Sequence, residues 1–206
     1  MVGGYFAIGN YFYDLAVNAH TNKSFLTAES KQKPLSKKEE ERKKENKAFL
    51  ADVKSDAWYV TSSDKLKLKL YAADYKQPTK TNKWAIVVHG YGGQSIDMAS
   101  WTRHFYNKGY NVVTPDLRGH GKSQGDYIGM GWDDRKDMLL WIAKIIQKDP
   151  QAEIVLLGVS MLRIISNQLK QINGLLLFMG MVDNRSIWQV GHVIFTIRVI
   201  MLLRQI

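Results

Sequence analysis

Two short runs of uninterrupted apolar residues, WAIVV at 84–88 and IVLL at 154–157, most narrow what this chain can fold into. A strand covered on one face alternates apolar and polar residues. A run without alternation needs cover on both faces, as in the parallel strands of an α/β sheet. The segments around these runs supply the cover. SIDMASWTRHFYNKGY, 95–110, reads as a helix in which Ile96, Ala99, Phe105 and Tyr106 share a face and Gly109 caps the end. DDRKDMLLWIAKIIQKD, 133–149, is amphipathic, with Asp133 near its start, Met138, Trp141, Ile142 and Ile145 as its apolar stripe, and Pro150 just beyond. NVVTPD, 111–116, is a strand between the two helices. Strands alternating with helices predict βαβ units, right-handed crossovers and an α/β fold: a mostly parallel sheet with helices on both faces.

Upstream, AWYVTSS at 57–63 and KLKLKLYAAD at 65–74 read as strands, the second by its alternation of Leu66, Leu68 and Leu70 with Lys65, Lys67 and Lys69. KQPTKTN at 76–82 is a turn. Residues 1–20 are aromatic and apolar but carry Asn10 and Asp14. Two readings stand for them: an amphipathic segment packed on the domain or on a membrane surface, or the last turns of an anchor whose start is missing. Residues 21–56 are a charged linker or helix, and within them 30–48 is a charge run, a solvated helix or linker that Pro34 and Ser36 can open and in which Glu40 and Lys44 stand at i,i+4 spacing. Its apolar positions are too few to bury a face. The α/β unit then spans 57–161, and 162–206 is a divergent, apolar tail.

The chain has no cysteine, which excludes disulfides, thiolate metal sites and cysteine nucleophiles. Its formal charge of +10 raises nucleic acid as a partner, but the basic residues are spread along the chain without a dense block. A solvated basic surface is the expectation, with no nucleic-acid partner, and attraction to an anionic membrane surface is equally compatible. The compartment is left open between the cytoplasm and the cell membrane. His89, His104 and His120 lack metal-ligand spacing, so neither a metal nor another cofactor is expected.

Ligands of open α/β sheets gather at the carboxyl ends of the strands, and three such ends carry unusual residues. HGYGG, His89 to Gly93, can turn sharply and offer the N–H of Tyr91 to a developing oxyanion. TPDLRGHGKSQGD, 114–126, spaces Asp116, Arg118, Gly119, His120, Gly121 and Ser123 in a distinctive way. GVSM, 158–161, is most of a G-x-S-x-G nucleophile elbow, in which Gly158 meets the demand for a small residue before Ser160.

Together and in this order, VVHGYGG, GYNVVTPDLRGHGKS, GDYIGMGWDDRKD and IVLLGVSM resemble the α/β-hydrolase superfamily. Within it they are most similar to the bacterial serine hydrolases grouped with serine aminopeptidases and acylglycerol lipases. The resemblance covers about 80–161 and, more weakly, the strands from 57. It implies the N-terminal half of an α/β-hydrolase sheet and cleavage of an ester, thioester or amide, in a small molecule or a peptide, through an acyl-serine. It puts Ser160 at the nucleophile position and the backbone N–H groups of Tyr91 and Met161 in the oxyanion hole. It makes His89, Gly90, Asp116, Arg118, Gly119, His120, Gly121 and Gly158 motif residues that shape the loops. Some relatives begin with a membrane anchor, which fits the aromatic start.

Past Met161 the motif resemblance stops. Leu162 stands where the elbow requires a small residue, and an isobutyl group there must push the turn open. Asp183 and His192 follow Ser160 in the order the family uses, yet they stand nine residues apart, without room for the strand and helix that usually separate acid from histidine. Neither is assigned, and the triad acid and base stay unidentified. The alternative to an active hydrolase is therefore an inactive, truncated or frame-shifted chain, membrane-associated through its N-terminal segment or its tail. The tail is expected either to cover the sheet as a surrogate helix or strand or to seek membrane, where Arg198 would be costly.

Overall fold

In a computed structural model of the chain, the residues described are 2–21, 36–159, 177–181 and 192–199. Helix α1 (Val2–Ala16) and helix α2 (Lys37–Asp52) precede strands β1 (Asp56–Thr61), β2 (Lys69–Tyr75) and β3 (Lys83–Val88). A 3₁₀ turn (Ser95–Met98) leads into α3 (Ala99–Asn107), followed by β4 (Asn111–Pro115), α4 (Asp134–Lys148) and β5 (Glu153–Val159). Strands β6 (Leu177–Met181) and β7 (His192–Val199) complete one sheet ordered β1-β2-β4-β3-β5-β7-β6.

The unbroken apolar runs are buried on both faces. Trp84, Ile86 and Val88 of β3 and Ile154 and Leu156 of β5 pack with Met138, Trp141, Ile142 and Ile145 of α4. Ala85 and Val87 of β3 and Leu157 of β5 face the other way, toward Phe49 of α2 and Phe105 of α3. The chain leaves β3 through α3 to reach β4 on one side, then returns through α4 to β5 on the other. Right-handed crossovers run in opposite directions this way place their helices on opposite faces, as α3 and α4 lie here. This reversal of direction beside β3 opens a crevice at the carboxyl ends of β3 and β5.

The sheet is mixed. Strand β3 pairs in parallel with β4 and β5, whereas β1 and β2, β2 and β4, β5 and β7, and β6 and β7 are antiparallel. In the tail, β7 and β6 extend the sheet at its edge beside β5.

Three local expectations are revised. Strand β2 starts at Lys69 rather than Lys65, because Ser62 and Asp64 close a turn ahead of it. The Asp64 carboxylate accepts from Ser62 Oγ at 2.7 Å and from the Leu66 N–H at 3.2 Å, and Ser62 Oγ accepts from the Leu68 N–H at 2.8 Å. Leu66 is left exposed. The 95–110 helix begins as the 3₁₀ turn, which leaves Ile96 exposed while Thr102 takes a buried place. The charged segment is a helix with a capping box between Ser36 and Glu39, and it continues to Asp52. That extension carries Phe49 into the core, so the helix buries a contact after all. Among the described residues no helix is long and apolar enough to cross a membrane.

Candidate active site

The HGYGG loop and the end of β5 meet at the sheet's carboxyl edge. Val88 is the register partner of Gly158, which places His89 beside Val159, the residue before Ser160. Gly90 lies so close that a Cβ there would stand 3.4 Å from both Val159 Cγ1 and the Val159 carbonyl oxygen. Ser160, Met161, Leu162 and Asp183 lie outside the described residues. His192 is the first residue of strand β7, directly opposite Val159 at the carboxyl end of β5.

The two motif histidines hold these loops by their ring nitrogens. His89 Nδ1 lies 2.7 Å from the Gly90 carbonyl oxygen and must donate to it, while Nε2 accepts the Leu117 N–H at 3.0 Å. His120 Nδ1 likewise faces the Arg118 carbonyl oxygen at 3.0 Å, and its Nε2 accepts the Gly92 N–H at 3.2 Å. Both arrangements require a neutral ring with the proton on Nδ1. The two rings pack with their centroids 4.9 Å apart.

Burial pushes His89 down to about 4, with the neighbouring His120 adding to the effect against the pull of the Gly90 carbonyl. A folded value below the ordinary 6.5 means that the folded state excludes a proton the unfolded chain takes up. The stability this contributes is complete above pH 6.5 and is lost as the pH falls from there toward 4. At 1.36 kcal/mol per pH unit it amounts to about 3 kcal/mol. In an NMR titration the His89 ring should show no protonation step above about pH 5; a midpoint near 6.5 would overturn this.

Asp116 ties the second loop to the first. Its carboxylate accepts the Ser95 N–H at 2.6 Å and the Lys122 N–H at 2.8 Å. Its carbonyl oxygen accepts from Ser123 Oγ at 2.6 Å. Arg118 is buried beneath the loop. Its Nε and Nη2 each donate to the Asp137 carboxylate at 2.8 Å, and its Nη1 donates to Asp64 at 2.7 Å. Desolvation pulls the guanidinium down, but its bonds to Asp64 and Asp137 outweigh that and hold it above its ordinary value. Burial pushes Asp137 up, to about 6, against the pull of Arg118.

Sequence reasoning missed Asp64, Asp134 and Asp137. A signal was present for two of them: Asp134 and Asp137 fall in phase with Met138, Trp141 and Ile145 on the buried stripe of α4. Asp133, expected to start this helix, does so without a side-chain cap bond and instead accepts the Tyr127 hydroxyl at 2.8 Å.

A cleft of about 310 Å³ opens over these loops, lined by Gly92, Gly93, Gln94, Gly119, His120, Gly121 and Ile128, and also by Ala19 and Thr21. A larger cleft of about 600 Å³ lies at the opposite, amino ends of the strands, between 76–82 and 148–151, and no residue of the HGYGG or PDLRGHGKS loops lines it. Among the described residues no group of three or more acidic or histidine side chains is placed to hold a metal ion.

The structure is similar to that of an esterase from Pyrococcus furiosus, with a TM-score of 0.53 and 23% sequence identity, over 59% of this chain and 47% of that one. An alpha/beta hydrolase from Novosphingobium aromaticivorans gives a TM-score of 0.48 and 20% identity, over 59% of this chain and 41% of that one. The chain thus spans about half the length, or less, of these solved relatives. No curated protein matches it. The family model described as serine aminopeptidase, S33, matches residues 79–193, which runs past Met161, where the motif resemblance stops. With that match over more than half of the chain, and with the β3 and β4 loops gathered beside the end of β5, the chain belongs to this family of α/β hydrolases.

Proposed function

We propose that the chain is a serine hydrolase that cleaves an ester, thioester or amide through an acyl-Ser160 intermediate. One observation carries the reading: Gly90 of the HGYGG loop lies against Val159, the residue that leads into Ser160. In that arrangement the N–H groups of Tyr91 and Met161 are the donors for the oxyanion of the tetrahedral intermediate. His89 and His120 spend their ring nitrogens on backbone groups, so they support the loops and do not serve as the base. The serine still needs a base to take its proton.

A fluorophosphonate probe should label the chain at Ser160, and Ser160→Ala should remove that label completely, read by mass spectrometry of the labelled peptide. The second reading is an inactive chain: His89 and His120 commit their ring nitrogens to backbone groups, which leaves the base unidentified. On that reading the wild-type chain takes no label, and the serine mechanism is withdrawn for it.

A further inference from the structure

We propose that Val17–Thr21, the segment after α1, forms one wall of the cleft over the β3 and β4 loops, and that Ala19 sets the size of the group the cleft accepts. The inference deepens the serine-hydrolase reading and rests on it.

The segment is docked at several points. Ile128 donates its N–H to the Val17 carbonyl at 2.7 Å, and Ala19 donates its N–H to the Asp126 carbonyl at 3.0 Å. Asn18 and Tyr127 stand opposite each other between these bonds as an antiparallel bridge. Tyr91 Oη donates to the Ala16 carbonyl at 2.7 Å, so the wall is fastened to the loop that offers the oxyanion donor. Residues 18–21 form a turn, in which the Thr21 N–H donates to the Asn18 carbonyl at 3.4 Å. Ala19 and Thr21 line the cleft, and His20 between them turns outward to Asp126 at 3.0 Å.

The methyl group of Ala19 has no room to grow toward Gly119. A Cβ added to Gly119 would stand 3.1 Å from Ala19 Cβ and 2.6 Å from the Tyr127 carbonyl oxygen. The side toward Gly119 is therefore closed by close packing. A larger side chain at position 19 has the cleft to enter. At about 310 Å³ the cleft is at the small end for ligand sites, so a larger residue at position 19 takes up a sizeable share of it.

The test uses the full chain with two alkyl fluorophosphonates that differ only in chain length. Ala19→Trp should lower labelling of Ser160 by the long-chain probe about tenfold or more relative to the short-chain probe, and Ala19→Gly should move that ratio the other way. A ratio unchanged in both variants overturns the specificity role. A wild-type chain that neither probe labels removes the serine reading, and the role of Ala19 with it.

The wall itself is tested without activity. Asn18 and Tyr127 are a non-hydrogen-bonded pair, whose Cα atoms stand about 4.5 Å apart, within disulfide range. The chain has no cysteine of its own. The double variant Asn18→Cys/Tyr127→Cys should therefore oxidise to one intramolecular disulfide, seen as a two-proton mass loss that reductant reverses. If it stays reduced under mild oxidation while folded by circular dichroism, the docked wall is overturned.

Discussion

Arg118→Ala should destabilise the domain by about 3–5 kcal/mol at pH 7, read as a lower urea midpoint. Arg118 is 1% exposed and Asp137 is 4% exposed, so removing the guanidinium strands a carboxylate away from water. Burial already pushes Asp137 up to about 6 with Arg118 in place, and without it the push goes further. At neutral pH the folded variant must then hold either an unpaired charge or a proton that the unfolded chain would release. The sign follows from this. A carboxyl with a raised folded value binds more protons folded than unfolded, so the penalty shrinks as the pH falls. The gap between variant and wild type should be narrower at about pH 5 than at about pH 8. An equal gap at both would assign the loss to packing alone. Arg118→Met combined with Asp137→Leu should recover much of the stability, because apolar partners of similar volume need no compensating charge.

Gly121→Ala should be the other severe substitution, costing about 2–5 kcal/mol from overpacking and left-handed backbone together. Gly121 has φ +52°, in the region that L side chains rarely adopt, and a Cβ there would fall inside the Asp116 carboxylate. That carboxylate cannot step aside freely, since it holds the Ser95 and Lys122 N–H groups. The measurement is the thermal midpoint of the variant, with Gly109→Ala as the reference. Gly109 is also left-handed, at φ +81°, but a Cβ there meets nothing within 4 Å. Equal losses at the two positions would leave backbone strain as the whole effect and remove the clash with Asp116 from the argument.

The covered strands were legible because the signal is local. Trp84 to Val88 has no polar interruption, and the stripe Met138, Trp141, Ile142, Ile145 repeats at the helical period, so both name their burial without reference to distant residues. The alternation of Leu66, Leu68 and Leu70 misled for the complementary reason. The hydrogen bonds of Ser62 and Asp64 compete with strand geometry at 62–68, and Asp64 is further fixed by Arg118, which stands 54 residues away. The site was half legible. HGYGG and PDLRGHGKS stand out by their spacing, yet nothing in either motif says that Asp137 will hold Arg118, or that His89 and His120 will spend both ring nitrogens on backbone groups.

By itself the sequence determined the alternation of strands and helices, the two-sided burial of β3 and β5, and the motif loops at the strand ends, since each depends on residues close together in the chain. The tertiary structure alone decided that Val17–Thr21 joins the cleft, that Asp64 and Asp137 share Arg118, and that β7 pairs antiparallel with β5. Those outcomes depend on contacts between segments far apart in the chain. Such contacts form by shape, hydrogen-bond satisfaction and charge neutralisation, which leave no period and no fixed spacing in the sequence to read.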